Sequence, residues 1–307
     1  MPIVEAKELT RKFGKLIAVE KLNLEIDKGE VLGFLGPNGA GKTTTIRMLS
    51  GIIAATSGYA EIAGQPINGS IEKLHQVLGL LTESPGFYTR LSAYRNLEYF
   101  AGFYQGVNIP VQVEKYLRIM KLWERRTDPV GAFSKGMKQR LALARALIHE
   151  PEVLFLDEPT AGLDPEASGE VRDLISKLSS EGRTIFISTH NLTEAEQLCN
   201  RIAFFRTHLL ALDTPVNLRR NLFSRRNILR LEDVENVLIE NLKNLKYIKS
   251  LKQDGNKLII ELNNSEKDLP ELVQHVVKNG GRIIEVTEER HSLEEIYLNL
   301  VREEDKV

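Results

Sequence analysis

The chain has 307 residues, 42% apolar and 27% charged, with 41 basic against 42 acidic side chains and a formal net charge of −1. That length calls for two domains, or one large and one small, because single cores stop growing near about 250–300 residues. The near-neutral balance argues against nucleic acid as a partner, and the lone Cys199 excludes an internal disulfide and suits a reducing compartment.

The N-terminus, MPIVEAKELTRKFG, meets charge at once and lacks an apolar h-region, so it does not read as a signal peptide. No stretch reaches the roughly 18 uncharged apolar residues that span a bilayer, so the chain by itself is expected to be soluble. VEAKEL and then AVEKLNLEI read as strands with period-two alternation. VLGFLG (31–36) reads as a buried strand that runs into a Gly-rich turn and then a helix, TTTIRMLSG. Further strands are expected near 59–63, 77–82, 153–157, 184–188 and 201–206, with helices between them. Continuous apolar strands such as VLFL and TIFIS fit a parallel sheet covered on both faces.

Residues 91–149 break this rhythm with helical patterns and no convincing strand, giving a helical subdomain of about 86–149 inside a nucleotide-binding domain of 1–216. The basic polar segment 217–227, NLRRNLFSRRN, reads as a connector to a C-terminal domain of 228–307. There the order strand, helix, strand, strand, helix, strand, helix matches a ferredoxin-like split βαβ with an added helix, and Asp254-Gly255 marks a hairpin. The expected fold class is α/β with a small C-terminal α+β domain.

The chemistry begins at Gly36-Pro37-Asn38-Gly39-Ala40-Gly41-Lys42-Thr43, which fits GxxxxGK[ST] and is followed by Thr44. Glycines let backbone N–H groups face phosphate oxygens, and the next helix start adds partial positive charge. Lys42 reaches the β- and γ-phosphates, while the Thr43 hydroxyl serves Mg²⁺. VLFLDE supplies a second element: Asp157 to hold Mg²⁺, directly or through water, and Glu158 as general base for the attacking water. Without the phosphate loop this acidic pair would read as a helix cap or surface pair. His190 follows the strand TIFIST and so reaches the ligand edge of the sheet, where it suits a γ-phosphate contact. Phe13 is open between core aromatic and adenine platform. Histidines 75, 149, 208, 275 and 291 read as structural or exposed.

Over roughly residues 2–220 these residues resemble the ATP-binding cassette (ABC) ATPase family. GPNGAGKT resembles Walker A, VLFLDE Walker B, FSKGMKQR the signature, AGLD (161–164) the D-loop, and His190 the switch histidine. The resemblance places Phe13 at the adenine-stacking position. It implies that two copies pack head to tail around two ATP molecules, with Ser134 and Gly136 of one closing on the phosphates held by Lys42 of the other. Asp164 would then couple the two sites. Three positions depart from the family pattern: Lys135 and Met137 within the signature, Glu83 in place of the Q-loop glutamine, and Phe13 in place of the commoner tyrosine. A carboxylate at Glu83 still offers oxygen to Mg²⁺.

The last 80 or so residues, with SLEEIY, resemble the accessory domain on cassettes of drug, antibiotic and ion exporters. The resemblance thus implies an ATP-binding and hydrolysing subunit of an exporter, using ATP and Mg²⁺ and producing ADP and phosphate. Its expected partners are a second copy and an integral-membrane permease, which docks near Glu83 to Tyr104 on the inner face of the cell membrane. A soluble cassette acting on ribosomes or DNA would carry two cassettes or a long coiled coil, and neither is in the sequence. A sensor without turnover would lack Glu158.

Overall fold

The computed structural model describes residues 2–222, 226–289 and 292–304, so His291 and positions 223–225 of the expected connector lie outside the described residues. The chain divides into two units, Met1–Pro215 and Val216–Val307.

In the first unit β1 (Val4–Phe13) and β2 (Leu16–Ile26) form an antiparallel pair, and β3 (Val31–Leu35) runs through the phosphate loop into α1 (Lys42–Leu49). β4 (Ser57–Ile62) and β5 (Gln65–Pro66) complete a sheet of order β2-β1-β4-β5. α2 (Ile71–Val77) and β6 (Leu78–Leu81) precede three helices, α3 (Ala93–Ala101), α4 (Ile109–Ile119) and α5 (Lys135–Leu147). β7 (Val153–Asp157), α6 (Pro165–Ser180), β8 (Thr184–Thr189), α7 (Leu192–Leu198), β9 (Arg201–Arg206) and β10 (His208–Asp213) follow.

The larger sheet has the order β10-β9-β3-β8-β7-β6 and is parallel except for β10, which pairs antiparallel with β9. Every residue of β3, β7 and β8 is buried, as a parallel sheet covered on both faces requires. Phe34 anchors the core, with ring centroids 5.1 Å from Phe186 and 4.5 Å from Phe205. The same core cluster takes in Val4, Leu22 and Ala60 of the antiparallel sheet. Truncating one such buried ring to alanine costs about 3–5 kcal/mol. This rigid base holds the carboxyl ends of β3, β8, β7 and β6 side by side, and the site is built there.

The helical insertion has its own order. Asn96 on α3 is fully buried; its Oδ1 accepts from the Tyr88 N–H at 3.0 Å and its amide donates to Tyr88 O at 3.1 Å, which fixes the loop ahead of the helix. At the far end of α5, His149 stacks on Tyr104 with ring centroids 3.8 Å apart and meets Leu78 O at 3.2 Å.

The segment expected as a connector is partly a helix, α8 (Pro215–Leu222). Asp213 accepts the Thr214 N–H at 2.7 Å, Pro215 opens the helix where its missing N–H costs nothing, and Leu218 is 3% exposed. The arginines of NLRRNL mask this amphipathic spacing in the sequence.

The second unit contains β11 (Arg226–Leu231), α9 (Asn236–Lys243), β12 (Ile248–Asp254), β13 (Lys257–Leu262), α10 (Ser265–Lys278), β14 (Ile283–Glu288) and α11 (Leu293–Glu304). Its antiparallel sheet has the order β12-β13-β11-β14, the ferredoxin-like arrangement. The hairpin turn falls at Gly255-Asn256, one residue later than expected, because Gly255 takes the positive φ of +57° that the turn needs.

Candidate active site

A cleft of about 490 Å³ opens over the carboxyl ends of the central strands. Phe13, Pro37, Asn38, Gly39, Gly41, Lys42, Thr43, Thr44, Glu83, Glu158 and His190 line it, which gathers most of the expected residues in one place. Gly36 and Ala40 belong to the same loop. A Cβ on Gly36 would stand 2.1 Å from Phe205 O, and one on Gly41 would stand 2.2 Å from Ala18 O at a φ of +103°. Only glycine fits either position, so the loop is held close to the sheet. Gly41 then starts α1 with no side-chain cap, which leaves the first helical N–H groups for a ligand.

Glu158 is the centre of the charge network. Its Oε1 lies 3.5 Å from Lys42 Nζ and its Oε2 lies 2.9 Å from His190 Nδ1. Lys42, 6% exposed, also donates to Gly36 O at 2.7 Å and Pro37 O at 3.2 Å. Glu158 has a φ of +50°, a conformation that costs a non-glycine residue energy and clusters at functional sites. Its N–H reaches Ser188 O at 3.0 Å and Ser188 Oγ at 3.3 Å, and its carbonyl accepts the Ala161 N–H at 3.1 Å.

Asp157 sits directly beside Ser188 in the parallel register and is 2% exposed. The Ser188 hydroxyl donates to its Oδ1. Thr43 and Glu83 line the cleft, Asp157 ends β7 outside that lining, and all three are oxygen donors, the kind that hard cations such as Mg²⁺ prefer. Among the described residues no cluster of three or more His, Cys, Asp or Glu side chains could hold a metal alone, so a cation here needs phosphate and water oxygens as well. Those donors fit Mg²⁺ and do not fit a self-sufficient protein cage.

Phe13 stands at the cleft rim, 46% exposed, with the Arg11 guanidinium 4.4 Å from its ring centroid. It is a surface platform rather than a core aromatic. Ser134, Gly136 and Asp164 do not line the cleft. Ser134 caps α5 by accepting the Met137 N–H at 3.2 Å, and Asp164 caps α6 by accepting the Ala167 N–H at 2.9 Å. The two helix starts touch: a Cβ on Gly136 would meet Ala167 Cβ at 3.0 Å.

Residues 19–161 match the ABC transporter family, and residues 215–301 match the C-terminal domain of DrrA1-3-like ATP-binding proteins. The bacitracin transport ATP-binding protein BcrA of Bacillus licheniformis is 37% identical over 302 residues, covering 97% of both chains. The chain belongs to the ABC transporter ATP-binding protein family. A fluoroquinolones export ATP-binding protein of Mycobacterium tuberculosis is 38% identical over 221 residues, 71% of this chain and 72% of its own. Among solved structures, cbiO1 of Clostridium perfringens, part of the ABC transporter complex cbiONQ, is similar with a TM-score of 0.64 and 29% identity over 71% of this chain and 90% of its own.

As an ABC cassette the chain shows several site residues that sequence reasoning missed. Ser188 holds both members of the acid pair, and its place opposite Asp157 follows only from the β7–β8 register. Gln139, buried on the signature helix, donates to Pro159 O at 2.8 Å and so ties α5 to the loop after Glu158. Leu16, Ile17, Ala18 and Thr207 complete the cleft wall together with Ala161 of the AGLD segment, which the sequence had marked. Leu16, Ile17 and Ala18 lie at the start of β2, close to Phe13 in sequence, which was the available signal.

Proposed function

We propose that this cassette binds and hydrolyses ATP as a head-to-tail homodimer and that closure of the dimer drives an integral-membrane permease that exports its cargo. The observation that carries this reading is Glu158, held at the end of β7 between Lys42 and His190 above a phosphate loop. The loop N–H groups and Lys42 bind the triphosphate. His190 holds Glu158 by one oxygen, so the other is available, once ATP competes for Lys42, to take a proton from the attacking water. Asp157, fixed by Ser188, and the Thr43 hydroxyl would hold Mg²⁺ together with Glu83. When bound, Mg²⁺ neutralises charge on the phosphates. Phe13 offers a free ring face for adenine stacking.

The exposed starts of α5 and α6 support a second copy as the missing wall. Ser134 and Gly136 of one copy would meet the γ-phosphate held by the other, and Asp164 would link the sites. No helix among the described residues is long and apolar enough to cross a membrane, and the reading assigns the membrane work to a separate subunit. Tyr88, Tyr99 and Phe103 are 49%, 46% and 66% exposed, and Tyr99 meets each of the other two rings edge-on, which suits docking of that subunit on the helical insertion. Its place would then be the inner membrane face. The export role and a drug- or antibiotic-type cargo rest on the names of the relatives. The N-terminal domain of 1–216 would do the chemistry and the C-terminal domain of 228–307 would be accessory.

The test is Glu158→Gln in the full chain. Turnover falls by about 10²–10⁴-fold, the usual worth of a positioned base. ATP binding persists, and light scattering shows an ATP-dependent dimer. Normal phosphate release would remove Glu158 as the base.

A further inference from the structure

Arg145, in the last turn of α5, is a cation outside the cleft lining and outside the charge network around Glu158. It is half-buried, and among the described residues no carboxylate pairs with it. Its guanidinium lies instead 5.0 Å from the ring centroid of Phe87 and 4.8 Å from that of Phe100, and its Nη1 donates to Gly86 O at 2.8 Å. Burial pushes its pKa down, as for any cation taken from water without an anion. A leucine or methionine would fill the same gap without desolvating a charge. Such a residue lacks a long donor that reaches a backbone carbonyl while two ring faces hold it in place. The bond to Gly86 O is what sets Arg145 apart from an apolar filler.

Gly86 and Phe87 belong to the loop 82–88 that follows β6, and Glu83 of that loop lines the cleft. The loop is fixed at its start by β6, whose last residue, Leu81, pairs with Leu156 of β7. Glu83 comes two residues later. Pro85 then restricts its own φ and the backbone of Ser84, so a hold on Gly86 is passed back to Glu83 over a stiff stretch. A Cβ on Gly86 would meet nothing within 4 Å, so close packing does not supply that hold. Asn96 of α3 grips the loop farther on, at Tyr88. Arg145 therefore holds the loop closer to Glu83, and it does so from the helix that Ser134 caps.

We propose that Arg145 is a positioning residue that clamps the loop of Glu83 onto α5 and so fixes where the Glu83 carboxylate stands in the cleft. The inference rests on the proposed role of Glu83 as an oxygen donor to Mg²⁺ and adds what keeps that donor in register with the helix of Ser134.

The test uses the full chain with Mn²⁺ as the probe, titrated by electron paramagnetic resonance in the presence of a non-hydrolysable ATP analogue. Arg145→Met weakens Mn²⁺ binding by about tenfold, the lower end of what losing a support behind a metal ligand costs. Binding of the analogue without metal is unchanged. Glu83→Ala weakens Mn²⁺ at least as much, and adding Arg145→Met to it causes no further loss, because the clamp then has nothing to place. Arg145→Lys, which keeps a cation and a donor of similar reach, recovers most of the affinity. Hydrogen exchange at the Tyr88 amide speeds up in Arg145→Met while exchange in β7 does not, whereas a general loss of stability would speed both. Wild-type Mn²⁺ affinity in Arg145→Met beside a weakened Glu83→Ala, or unchanged exchange at Tyr88, overturns the proposal.

Should Glu83→Ala bind Mn²⁺ normally, the metal role of Glu83 fails, and exchange at Tyr88 with its rescue by Arg145→Lys decides the clamp by itself. Should Arg145→Met not fold, Phe87→Leu takes its place, since it removes one ring face and leaves the cation. Mn²⁺ binding then weakens by about twofold to fivefold, and an unchanged affinity overturns the proposal.

Discussion

The phosphate loop and the turn at Ser134 both open helices, yet they are built in opposite ways. The start of α1 has no side-chain cap, is packed against Phe205 and Ala18, and holds a lysine 6% exposed. Its cation already has an acidic partner, Glu158, in the same chain. The start of α5 is capped by its own serine, and Ser134 and Lys135 both face solvent. A capped, exposed helix start makes sense as a surface offered to another molecule. An uncapped, enclosed one makes sense as a receptacle. On the proposed reading, the difference makes the first a phosphate cradle and the second a lid for the cradle of a partner copy.

Lys42→Ala attacks the cradle. ATP affinity falls by about tenfold to 150-fold, because losing a hydrogen-bonding charge costs about 1.5–3 kcal/mol. Titration of a fluorescent nucleotide checks this, and an unchanged affinity would break the contrast at its stronger side.

Ser134→Arg attacks the lid. A long cation at the cap position blocks approach of the second copy, so ATP-dependent dimers vanish in light scattering and turnover drops with them. ATP binding by the single copy stays within about twofold of wild type, since Ser134 does not line the cleft of its own copy and a change outside a site moves its free energy by only about 0.5 kcal/mol. A dimer that forms normally would mean that the exposed start of α5 is no lid.

The cradle was far more legible in the sequence than the lid's surroundings, and the reason is physical. Gly36, Gly41 and Lys42 are forced by local geometry, so their spacing alone carries the function. The acid pair needed only the apolar strand before it. Ser188 and Gln139 act across segments, and their roles depend on which elements lie beside which. The β7–β8 register that sets Asp157 against Ser188 has no signature in either strand by itself. The same holds for α8, where four arginines in 217–227 hid a helix that Pro215 and Leu218 define. In the second unit alternation was enough, because β11 and β13 bury every second residue and the hairpin turn is local.

The two ends of α5 give the finest probe of the contrast, because the exposed signature start is rigid only if the other end is anchored. At that end His149 is stacked on Tyr104, and burial lowers its pKa to about 4. The unfolded chain therefore takes up a proton near pH 6.5 that the folded chain refuses until about pH 4. Stability from this group is complete above about pH 6.5 and is lost as pH falls through that window, about 2 kcal/mol of it by pH 5. Urea unfolding at pH 7.5 and pH 5 should show a smaller loss in His149→Phe than in the wild type, although the variant starts lower because Leu78 O loses its partner. Equal pH dependence in the two proteins would place the acid-sensitive group elsewhere. A flattened profile would assign the acid-sensitive group to His149, which packs at the far end of the helix that Ser134 caps.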